Sequence, residues 1–203
     1  MTKKVCYTIG HSNHAFEKFL DLLKRNNINC VVDVRSYPYS KYASQFNKEI
    51  LEHNLKENKI QYIYMGNLLG AKLKELKFYS NNKLDGKKII NSNIFNEGID
   101  RIIKGIEKGY RISIMCSEKD PKECHRFCLI SKVLSDKNIE VRHIFEDGNY
   151  IEHKAIENQL LKNYYHEMSF DDINEISKSK SEDLYREIFD RIAIKMDGEV
   201  AEK

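Results

Sequence analysis

The chain has 203 residues, with 34 basic and 31 acidic side chains and a formal net charge of +3. This length allows one domain with a full core and a peripheral extension. The balanced charge excludes a nucleic-acid binder held mainly by bulk charge, but it is compatible with a local basic groove. No apolar run approaches the roughly 20 residues that a membrane-spanning helix needs, so we expect no membrane partner.

The cysteines indicate the compartment. There are five, an odd number, and Cys6 and Cys30 lie inside apolar, strand-like runs. This usage favours a reducing environment over a disulfide framework. The first residues lead directly into a strand, without the apolar region of a signal peptide. We therefore expect a cytoplasmic protein.

Short apolar strands recur along the first 150 residues. They are predicted at Val5 to Ile9, Asn29 to Val34, Ile60 to Tyr64, Ile112 to Cys116 and, as the last strand, Val141 to Phe145. The intervening segments carry apolar residues at helical spacing. These segments begin near His14 and near Asn47, run from Ile94 to Lys108, and extend from Pro121 to about Asp136. The Lys- and Asn-rich stretch Met65 to Asn93 is predicted to be irregular, with a surface loop or short helices.

Strands that alternate with helices predict an α/β domain over residues 1–150. We expect a Rossmann-like or flavodoxin-like, mostly parallel sheet with helices on both faces. After about Tyr150 the pattern becomes helical and polar. It predicts a helical C-terminal extension over residues 151–203, not a separate domain, with a linker at Ser177 to Ser181.

Polar, chemically capable residues follow three of the predicted strands, in the segments GHSNH from Gly10, DVRSYPYS from Asp33 and CSEKDPKECHR from Cys116. Ligands of open α/β sheets bind beyond the carboxyl ends of the strands, so we expect these segments to share one site. The candidate catalytic residues are His11, Cys116, Glu118 and His125, and the candidate substrate-binding residues are Ser12, Asp33, Arg35, Ser40 and Arg126.

The Cys116 segment has a predicted helix start. Asp120 can cap a helix and Pro121 suits its first position, which places Cys124 to Arg126 in the first turns. A helix N-terminus favours an anion or a thiolate, and an arginine there can clamp a phosphate or a carboxylate. We expect Cys116 to be either a reactive thiol or a small, inert residue that closes a buried strand.

Two pairs of residues have a structural and a functional interpretation. Asp33 and Arg35 lie on one face of a strand, where they form an ion pair or leave Arg35 to bind substrate. Tyr37 and Tyr39 flank Pro38 and either stack on a nucleic-acid base or pack on the sheet edge. Packing is the interpretation that we favour for the tyrosines.

A metal site is a further hypothesis. Cys116, Cys124 and His125 are candidate ligands, with His11 brought near them by the fold, but the C-x7-C-H spacing is not a standard zinc pattern. Adjacent residues of a helix also point in different directions. We therefore predict no metal or other cofactor.

The three motifs together resemble a prokaryotic family, domain of unknown function 488. TIGHS, VDVRSYPYSKY with QFN, and CSEKDPKECHR carry this resemblance, which extends from about Thr8 to Ile144. Ala71 stands where the family often has a second glycine. The resemblance implies an α/β fold but no reaction. It also implies a signature site formed by His11, Ser12, Asp33, Arg35, Pro38, Cys116, Glu118, Cys124, His125 and Arg126. The chain is more distantly similar to rhodanese-like and cysteine-phosphatase domains.

The favoured function is an enzyme that uses Cys116 as a thiolate. His125 or Glu118 would transfer protons, and Arg126 or Arg35 would hold a small anionic ligand.

Two alternatives stay open. One is an enzyme that acts on a nucleotide or a nucleic-acid base, with Glu118 as the catalytic carboxylate. Tyr37 and Tyr39 would then stack on the bases. The candidate contacts to the nucleotide or nucleic acid are Lys72, Lys74 and Lys77. The other is a non-catalytic binding domain whose polar cluster is an internal ion-pair network.

Overall fold

The computed structural model describes residues 3–71, 78–80, 83–164 and 178–201. Within these residues one six-stranded sheet has the order β3-β2-β6-β1-β7-β8. Its first five strands are parallel, and β8 pairs with β7 in the antiparallel direction. The strands of this sheet are β1 (Val5–Gly10), β2 (Cys30–Asp33), β3 (Gln61–Tyr64), β6 (Ile112–Cys116), β7 (Glu140–Ile144) and β8 (Tyr150–Glu152). The α/β prediction is confirmed.

Helices follow most of the parallel strands, as right-handed crossovers require. The α-helices are α1 (Phe16–Arg25), α2 (Lys48–Glu57), α3 (Gly66–Leu69), α4 (Gly86–Ile90), α5 (Asn93–Glu107), α6 (Lys132–Asp136), α7 (His153–Tyr164) and α8 (Lys178–Ala201). Two 3-10 turns (Ser44–Phe46 and Pro121–Glu123) and a π-helix (Arg126–Ser131) complete the helical elements of the described chain. Two short strands, β4 (Tyr79–Ser80) and β5 (Lys83–Leu84), pair with each other.

The sheet is covered on both faces. All residues of β2 and β6 are buried, which explains why their sequences are nearly continuous apolar runs. One face packs against α1 and α2, through residues such as Phe19 and Leu51. The other face packs against α5, the π-helix and α8, through residues such as Ile99, Phe127 and Phe189.

The predicted helix from Pro121 to Asp136 is wrong as a single element. Asp120 caps only a 3-10 turn, by accepting a 2.9 Å hydrogen bond from the Lys122 N–H. Cys124 is then extended, with φ −134° and ψ 142°, which ends the turn. The chain resumes as the π-helix and continues into α6. Because Cys124 itself is extended, it does not belong to the helix in which it was predicted to lie.

Three other boundary predictions need correction. Val141 to Phe145 is not the last strand, because β8 follows it; the side chains of β8 are exposed and therefore lack an apolar pattern. The stretch Met65 to Asn93 contains the short helices α3 and α4, which agree with its prediction, and the β4–β5 pair, which was not predicted. The predicted linker at Ser177 to Ser181 is too long, because α8 begins at Lys178. Ser177 itself lies outside the described residues, as do Lys72, Lys74 and Lys77.

The helices after β8 pack into the main core. Ile156 of α7 and Leu184 and Ile188 of α8 are buried in the same cluster as the strand residues Cys30 and Ile114. Across the described part of the chain, we find no helix with the length and apolarity needed to cross a membrane.

Candidate functional site

The carboxyl ends of three neighbouring strands meet at one edge of the sheet. Gly10 lies opposite Cys116, and Asp33 lies opposite Met115. The β1–β6 pairing continues beyond the strands, because the His11 N–H donates to the Cys116 carbonyl at 2.9 Å. The structure therefore brings together the segments that follow β1, β2 and β6.

A buried ion pair joins Asp33 and Arg35. The Arg35 backbone N–H and Nε donate to Asp33 Oδ1 at 3.0 and 2.9 Å, and Nη2 donates to Oδ2 at 2.6 Å. Tyr62 donates a further 2.7 Å hydrogen bond to Oδ2, and Nη2 also donates to the Phe46 carbonyl at 2.8 Å. Burial would lower the pKa of Arg35, but the hydrogen bond and charge of Asp33 raise it above its usual value. Arg35 is thus a fixed cation, and Asp33 acts structurally.

His11 is held as a neutral acceptor. Its Nδ1 lies 2.7 Å from the Ser12 carbonyl, which can only accept, so Nδ1 carries the ring proton. Nε2 then accepts from Arg35 Nη1 at 3.2 Å. The ring also stacks on Phe46, with centroids 4.4 Å apart. Burial, followed by the charge of Arg35, lowers the pKa of His11 to about 4.

The thiols of Cys116 and Cys124 both lie close to the same ring nitrogen of His125. Cys116 Sγ is 3.9 Å from His125 Nδ1, and Cys124 Sγ is 3.7 Å from the same atom. A hydrogen bond to Cys124, together with burial, raises the pKa of Cys116 well above its usual value. Burial would also raise the pKa of Cys124, but the hydrogen bond from Cys116 and the charge of Arg126 bring it well below that value. In this pair the lower pKa belongs to Cys124, so Cys124 is the thiol that more readily loses its proton.

Arg126 is a buried cation with no carboxylate partner among the described residues. Its side chain is 1% exposed, and Nη2 donates to the Lys119 carbonyl at 3.1 Å. Nε and Nη1 have no hydrogen-bond partner, and neither does Nε2 of His125. No acidic side chain forms an ion pair with Arg126 in the part of the chain that the structure describes. A buried charge needs a counter-charge, and the Cys124 thiol, whose pKa the Arg126 charge lowers, is a candidate for that role.

Gly10 makes room for the loop after β6. A methyl group at Gly10 would lie 1.8 Å from the Glu118 carbonyl oxygen and 3.1 Å from Arg126 Nη2. The backbone of Glu118 therefore packs directly on the end of β1. The Glu118 side chain is exposed.

The two candidate serines have backbone roles. Ser40 Oγ accepts hydrogen bonds from the backbone N–H groups of Tyr42 and Ala43, at 3.2 and 3.3 Å, so it shapes its own loop. Ser12 is half-buried and adopts a φ of 48°, and its N–H donates to the Ser117 carbonyl at 2.9 Å. The fold uses both residues to set the path of the chain around the site.

Sequence reasoning missed three contributors. Cys124 was predicted as a family-signature residue and a metal ligand, but not as the partner of the Cys116 thiol. Phe46 and Tyr62 were not predicted at all. β3 pairs with β2, the strand that ends at Asp33, and it carries tyrosines at the alternating positions Tyr62 and Tyr64. This pattern was a weak signal that a tyrosine contacts Asp33. The local sequence of Phe46 contains no signal for stacking on His11, because the contact joins segments far apart in the chain.

The same cluster could hold a metal ion. Cys116 Sγ, Cys124 Sγ and a His125 ring nitrogen all lie within 4.8 Å of one another, and all three residues are buried. Two sulfurs and one imidazole are a donor set that zinc accepts, and three protein donors would leave one coordination position open.

Comparison with known proteins identifies a family. The model described as "Domain of unknown function DUF488" matches residues 15–133, which is more than half of the chain. The resemblance that the motifs predicted is confirmed, although the match excludes TIGHS and β7, at the two ends of the predicted span. No curated protein and no solved structure matches the chain.

Proposed function

We propose that this chain, which belongs to the DUF488 family, is an enzyme whose reacting group is the thiolate shared by Cys116 and Cys124. The observation that carries this proposal is the buried Arg126 guanidinium, which lies beside two thiols and has no carboxylate partner in the described chain. A thiolate is a nucleophile, whereas a thiol is not. A thiolate that balances a buried cation is available at neutral pH.

The neighbours of the thiolate can handle a small anionic substrate. Nε and Nη1 of Arg126 are free donors, and donors in a buried site stabilise negative charge that develops as a nucleophile attacks. Nε2 of His125 has no partner and can give or take a proton, while Nδ1 contacts both sulfurs. In this proposal the Cys124 thiolate attacks an electrophilic atom of the substrate, and the bond from that atom to the leaving group breaks, with its electron pair going to the leaving group. Arg126 binds the anionic part, and His125 gives a proton to the leaving group.

His11, Asp33 and Arg35 are positioning residues in this proposal. Asp33 fixes Arg35, and Arg35 in turn fixes the neutral ring of His11 beside the end of β6. The Arg35 charge and the Cys116 sulfur also interact electrostatically.

The alternatives have weaker support. A catalytic role for Glu118 requires its carboxylate in the site, but the feature of this residue that packs there is its backbone carbonyl. An internal ion-pair network requires Arg126 to pair with an acid, and the ion pair found at this edge is Asp33 with Arg35.

Alkylation of individual cysteines tests the proposal. Wild-type protein is treated with iodoacetamide between pH 5 and pH 9, and each cysteine is quantified by mass spectrometry. We expect Cys124 to react with an apparent pKa well below 8.5, and Arg126→Gln to raise that pKa. The internal controls are Cys6 and Cys128, because burial raises the pKa of each. Cys124 reactivity no greater than that of Cys128 would contradict the proposal.

A second arm separates thiolate chemistry from a metal centre. The protein is purified with and without a chelator, and its metal content is measured beside the alkylation profile. We expect substoichiometric metal and the same Cys124 reactivity in both preparations. About one equivalent of zinc per chain, with both thiols protected until the chelator removes it, would assign the cluster to a metal site instead.

A further inference from the structure

The loop after β2 exposes three tyrosines. Tyr37 is 73% exposed, Tyr39 is 39% exposed and Tyr42 is 93% exposed. The favoured prediction that Tyr37 and Tyr39 pack on the sheet edge is therefore wrong for Tyr37, whose described ring contact is with Tyr39 at a centroid distance of 5.2 Å. Three exposed rings within six residues form a patch of aromatic surface, which we call the tyrosine rim.

The tyrosine rim is held in place by its backbone and by polar side chains. The Ser40 N–H donates to Asn47 Oδ1 at 2.8 Å, and Ser40 Oγ accepts from two N–H groups of the loop. The Lys48 N–H donates to the Pro38 carbonyl at 3.1 Å, and the Tyr39 hydroxyl donates to Glu49 at 2.7 Å. These bonds fix the backbone of the loop and the Tyr39 hydroxyl, so the loop itself loses little conformational entropy when a ligand binds.

The sequence of the tyrosine rim carries cations and no acid. No acidic residue occurs between Asp33 and Glu49, and this interval contains the exposed Lys41 and the half-buried Lys48. Arg35 lies in the same interval, but it is buried and paired with Asp33, so it adds no charge to the surface. Lys48 lies 4.8 Å from the centre of the Tyr64 ring, so a cation and a further aromatic ring lie next to the rim. Glu49 is engaged by the Tyr39 hydroxyl.

The tyrosine rim lies at the same edge of the sheet as the thiols. It begins two residues after Arg35, whose Nη1 contacts His11. Gln45 Nε2 donates to the His14 carbonyl at 2.7 Å, which ties the far end of the loop to the segment after β1. A chain-like ligand bound to the rim would therefore reach the edge where Cys116 ends β6.

We propose that the tyrosine rim binds the bases of a single-stranded nucleic acid. Exposed aromatic rings beside cations are the combination that binds such strands: the rings stack on bases, and the cations contact phosphates. A protein partner would use the rings but would not require an acid-free, cationic interval. This inference goes beyond the proposed function and does not depend on it, because the rim would bind a strand whatever the thiol site reacts with.

Binding of fluorescein-labelled dT15 and rU15 to the full chain tests the inference. The Tyr37→Ala/Tyr42→Ala variant should bind at least about tenfold more weakly, whereas Tyr37→Phe/Tyr42→Phe should stay within about threefold of wild type, because phenylalanine keeps the ring. Lys41→Gln should reduce the salt dependence of binding by about one phosphate contact. The chain contains no tryptophan, so quenching of its tyrosine fluorescence gives a second measurement of the same stacking.

Two controls keep this inference separate from the proposed function. Cys124→Ser should bind dT15 as the wild type does, so loss of thiol chemistry would not mimic loss of strand binding. An abasic strand of equal length should bind at least about tenfold more weakly than dT15, because its phosphates remain while its bases are missing. The inference is overturned if the abasic strand binds equally well, if the alanine variant binds like wild type, or if neither oligonucleotide binds below about 100 µM.

Discussion

Arg35 Nη1 donates a 3.2 Å hydrogen bond to His11 Nε2. The donor is a cation fixed by Asp33, and the acceptor nitrogen keeps its lone pair because the ring proton is on Nδ1. Protonation of His11 would place two positive charges at hydrogen-bond distance inside the protein. This contact links the stability of the site to pH.

The free energy of unfolding should fall as the pH is lowered from 7 to 5. Burial lowers the pKa of His11 and of His153 to about 4 each, and it lowers that of His143 well below its usual value. The unfolded chain therefore binds more protons than the folded chain below about pH 6.5, and each such histidine costs up to about 1.4 kcal/mol per pH unit. Urea unfolding at pH 7, 6 and 5 measures the slope.

Single substitutions show which histidine makes the free energy of unfolding depend on pH. His11→Gln removes one buried histidine and should make the dependence of stability on pH shallower. His53→Gln is the matched control, because His53 is exposed on α2. An unchanged slope in His11→Gln would show that the Arg35 contact does not keep this ring neutral.

Removing Arg35 should destabilise the protein strongly. Arg35→Gln leaves the Asp33 carboxylate, which is 0% exposed, without its cation, and breaking a buried pair costs about 3–5 kcal/mol. The control is Arg186→Gln, because Arg186 pairs with Asp183 at the surface of α8 and such pairs contribute about 1 kcal/mol or less. Chemical denaturation of both variants compares the two losses. Equal losses would mean that the buried pair has no special role.

Gly10→Ala should displace the loop that carries the thiol site. The added methyl group would meet the Glu118 carbonyl at 1.8 Å, and backbone atoms cannot move aside as a flexible side chain can. We expect a loss of stability of about 1–3 kcal/mol and a Cys124 alkylation profile closer to that of an ordinary thiol. Gly105→Ala is the control, because its new methyl group would meet only the terminal carbon of Ile112, at 2.8 Å. An unaltered Cys124 profile in Gly10→Ala would argue against this dependence.

The C-terminal helix should depend on a buried chain of hydrogen bonds. Thr8 Oγ1 lies 2.8 Å from His143 Nδ1, His143 Nε2 lies 3.1 Å from His153 Nδ1, and His153 Nε2 lies 2.8 Å from the Tyr185 hydroxyl. Tyr185→Phe leaves a buried nitrogen without its partner, which costs about 1–3 kcal/mol. The rate of backbone hydrogen exchange in α8 should also rise in this variant. Tyr110→Phe, at an exposed tyrosine, should change neither measurement.

The sheet was predictable from the sequence because its pattern is local. β2 and β6 are short apolar runs bounded by polar residues, which is the pattern of strands covered on both faces. The β8 strand was missed because all three of its side chains are exposed, so its place beside β7 leaves no apolar signal. The break at Cys124 was missed for a different reason. Asp120 and Pro121 are genuine start signals, and nothing in the local sequence limits them to one 3-10 turn.

The location of the candidate site was predictable from the sequence, but the contacts among its residues were not. Parallel strands end at a common edge, so His11, Arg35 and Cys116 were expected near one another before any coordinates were known. Which thiol would be ionised could not be inferred in the same way. The answer depends on Arg126 lacking a carboxylate and on Cys124 leaving the helix.

The sequence by itself determined the family, the α/β class and the residue types that stand at the strand ends, because each of these follows from local order along the chain. Only the tertiary structure decided that His11 is neutral, that the pKa of Cys124 is lowered while that of Cys116 is raised, and that Tyr37 and Tyr42 face solvent. The physical reason is that ionisation and exposure depend on burial and on neighbours from distant segments. His11 and Arg35 are 24 residues apart in the chain and 3.2 Å apart in space.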